Sequence, residues 1–273
     1  MRYSDTMILA DVETWPAPLR DYLASEFQML FAYARRERET MDAYLNQKGP
    51  HVPMGLMPSN PHFHAHESAS IKALELARPA AIRGWHCTRL TDHEVDRIKS
   101  EGMRPPDLEF LRNRIRRVEA DGLVDSRIAE RLIAENQAND NNRKGKMWFC
   151  FFEPRIAGQS GIERFFRRWG GEALYNSHED DRETGEALKL VGRPCLIQAD
   201  VRVSSLSQYT YLGEKILRRY LFSHGFDTGE DCEHEDYARE PIAASEIVRF
   251  VFHGEPAFAA LTDCDSWTPP LSA

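Results

Sequence analysis

The stretch that decides the reading is AIRGWHCTRLTDHEVDRIKSEG, residues 81–102, because its period changes part-way. Residues 81–90 are short, β-branched, aromatic or small, and read as a strand. From Thr91 the pattern becomes helical. Thr91 and Glu94 have the spacing of a capping box, Leu90 can staple to Val95, and Gly102 supplies a stop. A strand therefore runs straight into a short helix, with His86 near the strand's end.

Downstream, KMWFCFFE (146–153) is an apolar, aromatic run that fits a buried strand. In PCLIQADVRVSSL (194–206), Cys195, Ile197, Ala199, Val201 and Val203 alternate with Leu196, Gln198, Asp200, Arg202 and Ser204, a period of two. EPIAASEIVRFVFHG (240–254) predicts a short strand, a turn and a closing strand. Helices are predicted between them over 107–119, 123–138, 161–170 and 212–225, with polar loops at NDNNRKG (139–145) and SHEDDRE (177–183).

Upstream, Leu19, Tyr22, Leu23, Phe27, Leu30 and Tyr33 mark one apolar stripe on a long helix from Pro18 to Gln47, ended by Gly49 and Pro50. A proline-bounded loop carrying HFHAHE (62–67) leads to a short helix through SIKALELA (70–77), and Pro79 closes the segment. The expected organisation is an N-terminal helical extension (1–80), a catalytic domain (81–262) and a C-terminal tail (263–273). The class is α+β, with strands too dispersed for a doubly wound sheet.

The 273 residues suffice for one good core. No apolar run approaches bilayer length, and MRYSDTMILADVETWP lacks the basic start and apolar stretch of a signal peptide, so the expectation is a cytoplasmic protein with no membrane partner. The five cysteines, Cys87, Cys150, Cys195, Cys232 and Cys264, are odd in number and never spaced as CxxC, which argues against a disulfide framework or zinc ribbon. A net charge of −8 argues against bulk electrostatic coating by nucleic acid. Basic clusters occur at Arg112, Arg114, Arg116 and Arg117, at Arg164, Arg167 and Arg168, and at Arg218 and Arg219; most read as solvated helix faces.

Three features in order resemble the ADP-ribosyltransferase superfamily, on its histidine–aromatic–glutamate side, over roughly residues 80–255. GWHCTRL resembles the first strand motif, often tyrosine-histidine-glycine-threonine: His86 and Thr88 match, Trp85 stands for the tyrosine and Cys87 for the glycine. KGKMWFCFFE is similar to the middle strand whose aromatic packs against nicotinamide, with Trp148 at the tyrosine position and Phe149 beside it. Glu240, before the last strand–turn–strand, resembles the glutamate that holds the ribose; Glu233, Glu235 and Asp236 are alternative carboxylates.

The resemblance implies two small, mainly antiparallel sheets forming a split cleft for NAD as substrate. It implies catalytic roles for Glu240 and His86, and NAD contacts from His86, Cys87, Thr88, Arg89, Trp148 and Phe149. The acceptor it implies is an intracellular macromolecule, protein or nucleic acid, in a toxin or phage-defence setting with an antitoxin as partner. Other members similar to this transfer phosphate from RNA to NAD or hydrolyse NAD, and Arg89 and Arg104 can be read that way. No metal is required. The competing readings are a non-catalytic nucleotide- or partner-binding module on the same fold, and a metal-dependent hydrolase using His62, His64 and His66.

Overall fold

The periodicities settle into six strands and ten α-helices among the residues that the computed structural model describes, 6–47, 53–207, 211–229 and 233–271. In chain order these are β1 (Thr6–Met7), α1 (Ala17–Leu45), α2 (Phe63–Ala77), β2 (Ala81–Leu90), α3 (Asp92–Glu101), α4 (Leu108–Ala120), α5 (Ser126–Ala134) and β3 (Met147–Cys150). Then come α6 (Gly158–Arg167), α7 (Glu172–His178), α8 (Thr184–Leu190), β4 (Arg193–Arg202), α9 (Leu212–Ser223), β5 (Glu235–Ala238), β6 (Ile247–Phe252) and α10 (Pro256–Thr262). The strand-to-helix junction at 81–102 forms as its residues dictate. The Thr91 hydroxyl accepts from the Glu94 amide, the Glu94 carboxylate accepts from the Thr91 amide, and Gly102 ends the helix at φ 84°.

Several elements depart from the sequence reading. HFHAHE is helical, not loop. The Asn60 side chain accepts from the His62 amide (3.0 Å) and donates to the Tyr33 carbonyl (3.0 Å), so the turn before α2 is fixed by α1 and the helix starts early. The expected acidic loop at 177–183 contains the end of α7, and the Asp181 carboxylate starts α8 by accepting from the Thr184 amide (2.8 Å). The short strand expected just after Glu240 reduces to one bridge, Ile242 to Met103, while an unanticipated strand, β5, forms before it. Gly49 and Pro50, the expected stop of α1, and Cys232 lie outside the described residues.

The strands form one sheet in the order β5-β3-β2-β4-β6, with β1 parallel to the start of β2. This corrects the expected pair of separate sheets. The join is nevertheless thin. β2 and β4 pair along ten residues, from Ala81↔Arg202 to Leu90↔Arg193, whereas β2 and β3 share only Trp85↔Cys150. β3 then leaves with β5, so the sheet forks beyond Trp85.

Alternation along the strands divides the core. Ile82, Leu90, Cys195, Ile197, Ala199 and Val201 face the helical layer of α1, α2 and α9, where Leu19, Leu23 and Leu30 are fully buried at about 2 kcal/mol apiece. Trp85, Cys87 and Leu196 face Ile162, Phe166 and Phe258. A third cluster, including Leu111, Ile115, Leu132 and Trp169, joins α4 and α5 to the segment around α7 and α8. The N-terminal helices thus share their core with the sheet and are not set apart from it. The C-terminal segment is also docked: Trp267 and Leu271 are buried against the second cluster.

Candidate functional site

The fork between β2 and β3 creates a cleft, and one side chain spans it. His86, on β2, donates from Nδ1 to the Trp148 carbonyl on β3 at 2.8 Å. A carbonyl only accepts, so Nδ1 carries the proton and Nε2 keeps its lone pair for a ligand hydroxyl. Burial lowers the His86 pKa; the Trp148 carbonyl opposes this and the Arg114 charge adds to it, so the ring is neutral at pH 7.

Two adjoining cavities meet at His86, Cys87 and Trp148. The first, about 380 Å³, lies between the fork, α3 and α4, and includes Thr88, Arg97, Arg104, Phe110 and Arg114. The second, about 450 Å³, includes Trp85, Cys150, Phe165, Glu235 and Tyr237. Trp148 and Tyr237 are cross-strand partners with ring centroids 4.9 Å apart, and they make an aromatic corner in the second lobe.

Of the residues singled out in the sequence, His86, Cys87, Thr88 and Trp148 come together here. Phe149 also borders the second cavity, but its ring points the other way from Trp148, as successive strand residues must, and sits buried behind His86 with ring centroids 5.6 Å apart. Arg89 is a correction. It is 1% exposed, and its guanidinium donates to the carbonyls of Val191 (3.1 Å), Phe166 (3.0 Å) and Gly192 (2.7 Å). Burial pushes its pKa down to about 10, and it lines neither cavity. Its job is to tie the start of β4 and the end of α6 to β2.

Glu240 is not brought to the cleft. It follows β5 in a bend, its side chain is 58% exposed, and its nearest cation is Arg202 at 3.8 Å. Glu235 occupies the position that the cleft offers instead. It stands opposite Cys150 across the β3–β5 pair, accepts from the Cys150 thiol at 3.6 Å and lines the second lobe with His86 and Trp148. Its side chain is exposed, like that of Glu240, but the second lobe partly encloses its carboxylate. That burial raises its pKa, the Cys150 thiol opposes the rise, and the Glu233 charge adds to it. Asp236 is turned into the interior, where it accepts from the Ser207 hydroxyl and the Tyr237 amide. Of the four acids weighed in the sequence, only Glu235 lines the cleft.

Arg104, which the sequence reading offered with Arg89 as an arginine near the histidine, does line the cleft, and so does Arg97, which that reading passed over because it lies on the polar side of a helix. The conspicuous basic runs are mostly neutralised: Arg116 pairs with Glu119 and Glu130, Arg117 with Asp121, Arg164 and Arg168 with Glu179, and Arg167 with Glu163. Arg114 turns inward, to Glu94 at 2.6 Å.

The histidine-rich segment does not converge. On a helix, residues two apart point about 200° from each other. His64 is 94% exposed, whereas His66 is buried, stacked on Tyr33 at 3.7 Å and 3.6 Å from Glu214. Among the described residues no three His, Cys, Asp or Glu side chains are grouped to hold a metal ion, and no helix is long and apolar enough to cross a membrane. Comparison with protein-family models, curated proteins and solved structures found no match to this chain.

Proposed function

We propose that the chain is an NAD-consuming ADP-ribosyltransferase whose cleft is the fork between β2 and β3. The observation that carries this reading is the meeting of His86, Trp148 and Glu235 around one opening, a neutral hydrogen-bonding imidazole, an aromatic face and a carboxylate, contributed by three different strands. This is an ADP-ribosyltransferase-like arrangement within a single forked sheet.

Each group matches a need of the reaction. The nicotinamide ring is cationic until the bond from C1′ of the ribose to its nitrogen breaks, and the faces of Trp148 and Tyr237 suit a cationic ring. His86 Nε2 accepts from a ribose hydroxyl and orients the sugar. As nicotinamide departs with the bonding electron pair, positive charge grows on C1′ and its ring oxygen, and the Glu235 carboxylate stabilises it. The acceptor's nucleophilic atom then bonds to C1′ and loses its proton. Glu235 takes over the role that the sequence gave to Glu240; of the alternatives, Asp236 is turned into the interior and Glu233 does not line the cleft.

The acceptor in this reading is a macromolecule, protein or nucleic acid. A toxin or phage-defence setting with an antitoxin rests on the resemblance alone. The test is incubation of the purified chain with NAD labelled in its adenylate half and a cell lysate as the source of acceptor. Label transferred to protein or nucleic acid, together with free nicotinamide, is the expected result. Absence of both, with no NAD binding by calorimetry, overturns the transferase reading and leaves the binding-module alternative.

A further inference from the structure

The first lobe of the cleft holds an arrangement to which the bond-breaking step at C1′ gives no role. The guanidinium carbons of Arg97, Arg104 and Arg114 stand 4.9, 4.6 and 5.7 Å from the centroid of one ring, Phe110. Cation–π attraction to one ring contributes modestly to each, whereas three like charges gathered around it repel. Arg114 is compensated by Glu94. That carboxylate is then fully engaged, because it also accepts from Thr91 and from the Trp169 indole.

Arg97 and Arg104 have no such partner. Among the described residues neither makes an ion pair or a hydrogen bond to another side chain, in a chain of net charge −8 whose arginines are mostly paired. The other acids of the lobe are held elsewhere: Asp107 caps α4 by accepting from the Phe110 amide (2.7 Å), and Glu172 faces Arg143 at 3.5 Å. Glu94 and Glu101 act on the Arg97 charge, but only from beyond ion-pair distance.

The segment carrying Arg104 is built, not loose. Met103 and Ile242 exchange two backbone hydrogen bonds, each 2.8 Å. Gly102 has φ 84°, and a Cβ there would fall 2.1 Å from the Ile242 carbonyl oxygen, so only glycine permits this approach. Pro105 and Pro106 then stiffen the approach to α4. Planar guanidinium forks gathered at one ring on the wall of a cavity, without an ion-paired carboxylate, match the oxygens of a phosphate.

We infer that Arg97 and Arg104, gathered around Phe110, form a phosphate-binding lobe of the cleft, and that the group it takes is a phosphate of a nucleotide. This deepens the transfer reading and rests on it only for the phosphate's carrier, either the diphosphate of NAD or the terminal phosphate of a nucleic-acid acceptor.

The experiment is equilibrium binding to the full chain of inorganic pyrophosphate, of NAD, and of one oligonucleotide with a 5′-phosphate or a 5′-hydroxyl. Wild type is compared with Arg97→Gln and Arg104→Gln, with melting temperature as a control for folding. Pyrophosphate is expected to bind wild type with an affinity that falls as salt rises, and each substitution to weaken it about tenfold or more. A parallel loss for NAD assigns the lobe to the dinucleotide; a loss confined to the 5′-phosphorylated oligonucleotide assigns it to the acceptor. Equal binding of all ligands by folded wild type and variants overturns the inference. If pyrophosphate binding follows the expectation but wild type releases no nicotinamide from NAD, the lobe stands and the transfer reading fails.

Discussion

Replacing Glu94 with alanine removes one carboxylate from four donors. Its Oε2 accepts from the Thr91 amide (2.8 Å), the Thr91 hydroxyl (3.2 Å) and the Trp169 indole (2.9 Å), and its Oε1 accepts from Arg114 Nε (2.6 Å). Removing one member of a buried ion pair costs about 3–5 kcal/mol, because the other charge is left without compensation. Loss of half a capping box adds about 1 kcal/mol. These overlap, since the same carboxylate serves both, so the expected total is about 4 kcal/mol. In a chain of this size that lowers the melting temperature by roughly 8–16 °C.

Urea unfolding followed by tryptophan fluorescence and by circular dichroism reads the effect. The double variant Glu94→Ala/Arg114→Ala should be less destabilised than the sum of the two single variants, since the orphaned charge is gone. Burial alone would raise the Glu94 pKa, but Arg114 and the Thr91 and Trp169 donors overcome it and hold the carboxyl below its ordinary value. Its contribution is therefore present at neutral pH and is lost as pH falls through the folded-state value. A loss under about 1 kcal/mol for Glu94→Ala, or strict additivity in the double variant, would show instead that Arg114 simply rehydrates and that the pair contributes little.

Two further outcomes test the structural assignments. Arg89→Lys keeps the charge but not the three-way fork, and should cost about 3 kcal/mol in urea unfolding while leaving NAD affinity unchanged; a loss of NAD affinity in a variant of unchanged stability would return Arg89 to the ligand site. His234 is buried, and burial with the nearby Lys215 charge pushes it down to about 3. The unfolded chain binds this proton below about pH 6.5 and the folded chain does not, so stability falls as pH drops from 6.5 toward 3, by about 2 kcal/mol at pH 5. His234→Leu should flatten that dependence, and an unchanged slope would contradict the assignment.

The parts of the fold legible in the sequence are those fixed by local chemistry. The junction at 81–102 carries its own cap, staple and stop within a dozen residues, and the alternation of residues 194–203 names its buried face directly. The long stripe from Leu19 to Tyr33 does the same for α1. What the sequence hides is pairing. β5 is only four residues long, and its place beside β3 depends on a contact about 85 residues away, such as Cys150 to Glu235. Reading a glutamate by its position before a strand–turn–strand therefore chose Glu240, whereas the cross-strand register brings Glu235 to the cleft. The alternating histidines misled for a related reason: a period of two suggests one face of a strand, but Asn60, held by Tyr33 and Glu37 of α1, sets a helix there. Arg89 lies next to the histidine motif in sequence yet faces away from His86, as strand residues an odd number of positions apart do.

The most direct test of the central claim is release of nicotinamide from NAD by wild type, Glu235→Gln and Glu240→Gln side by side. Wild type is expected to turn over NAD, Glu235→Gln to fall roughly 10²–10³-fold with unchanged melting temperature, and Glu240→Gln to stay within about threefold of wild type. Full activity in Glu235→Gln with loss in Glu240→Gln would contradict the assignment of the cleft, and no release by wild type would contradict the reaction itself.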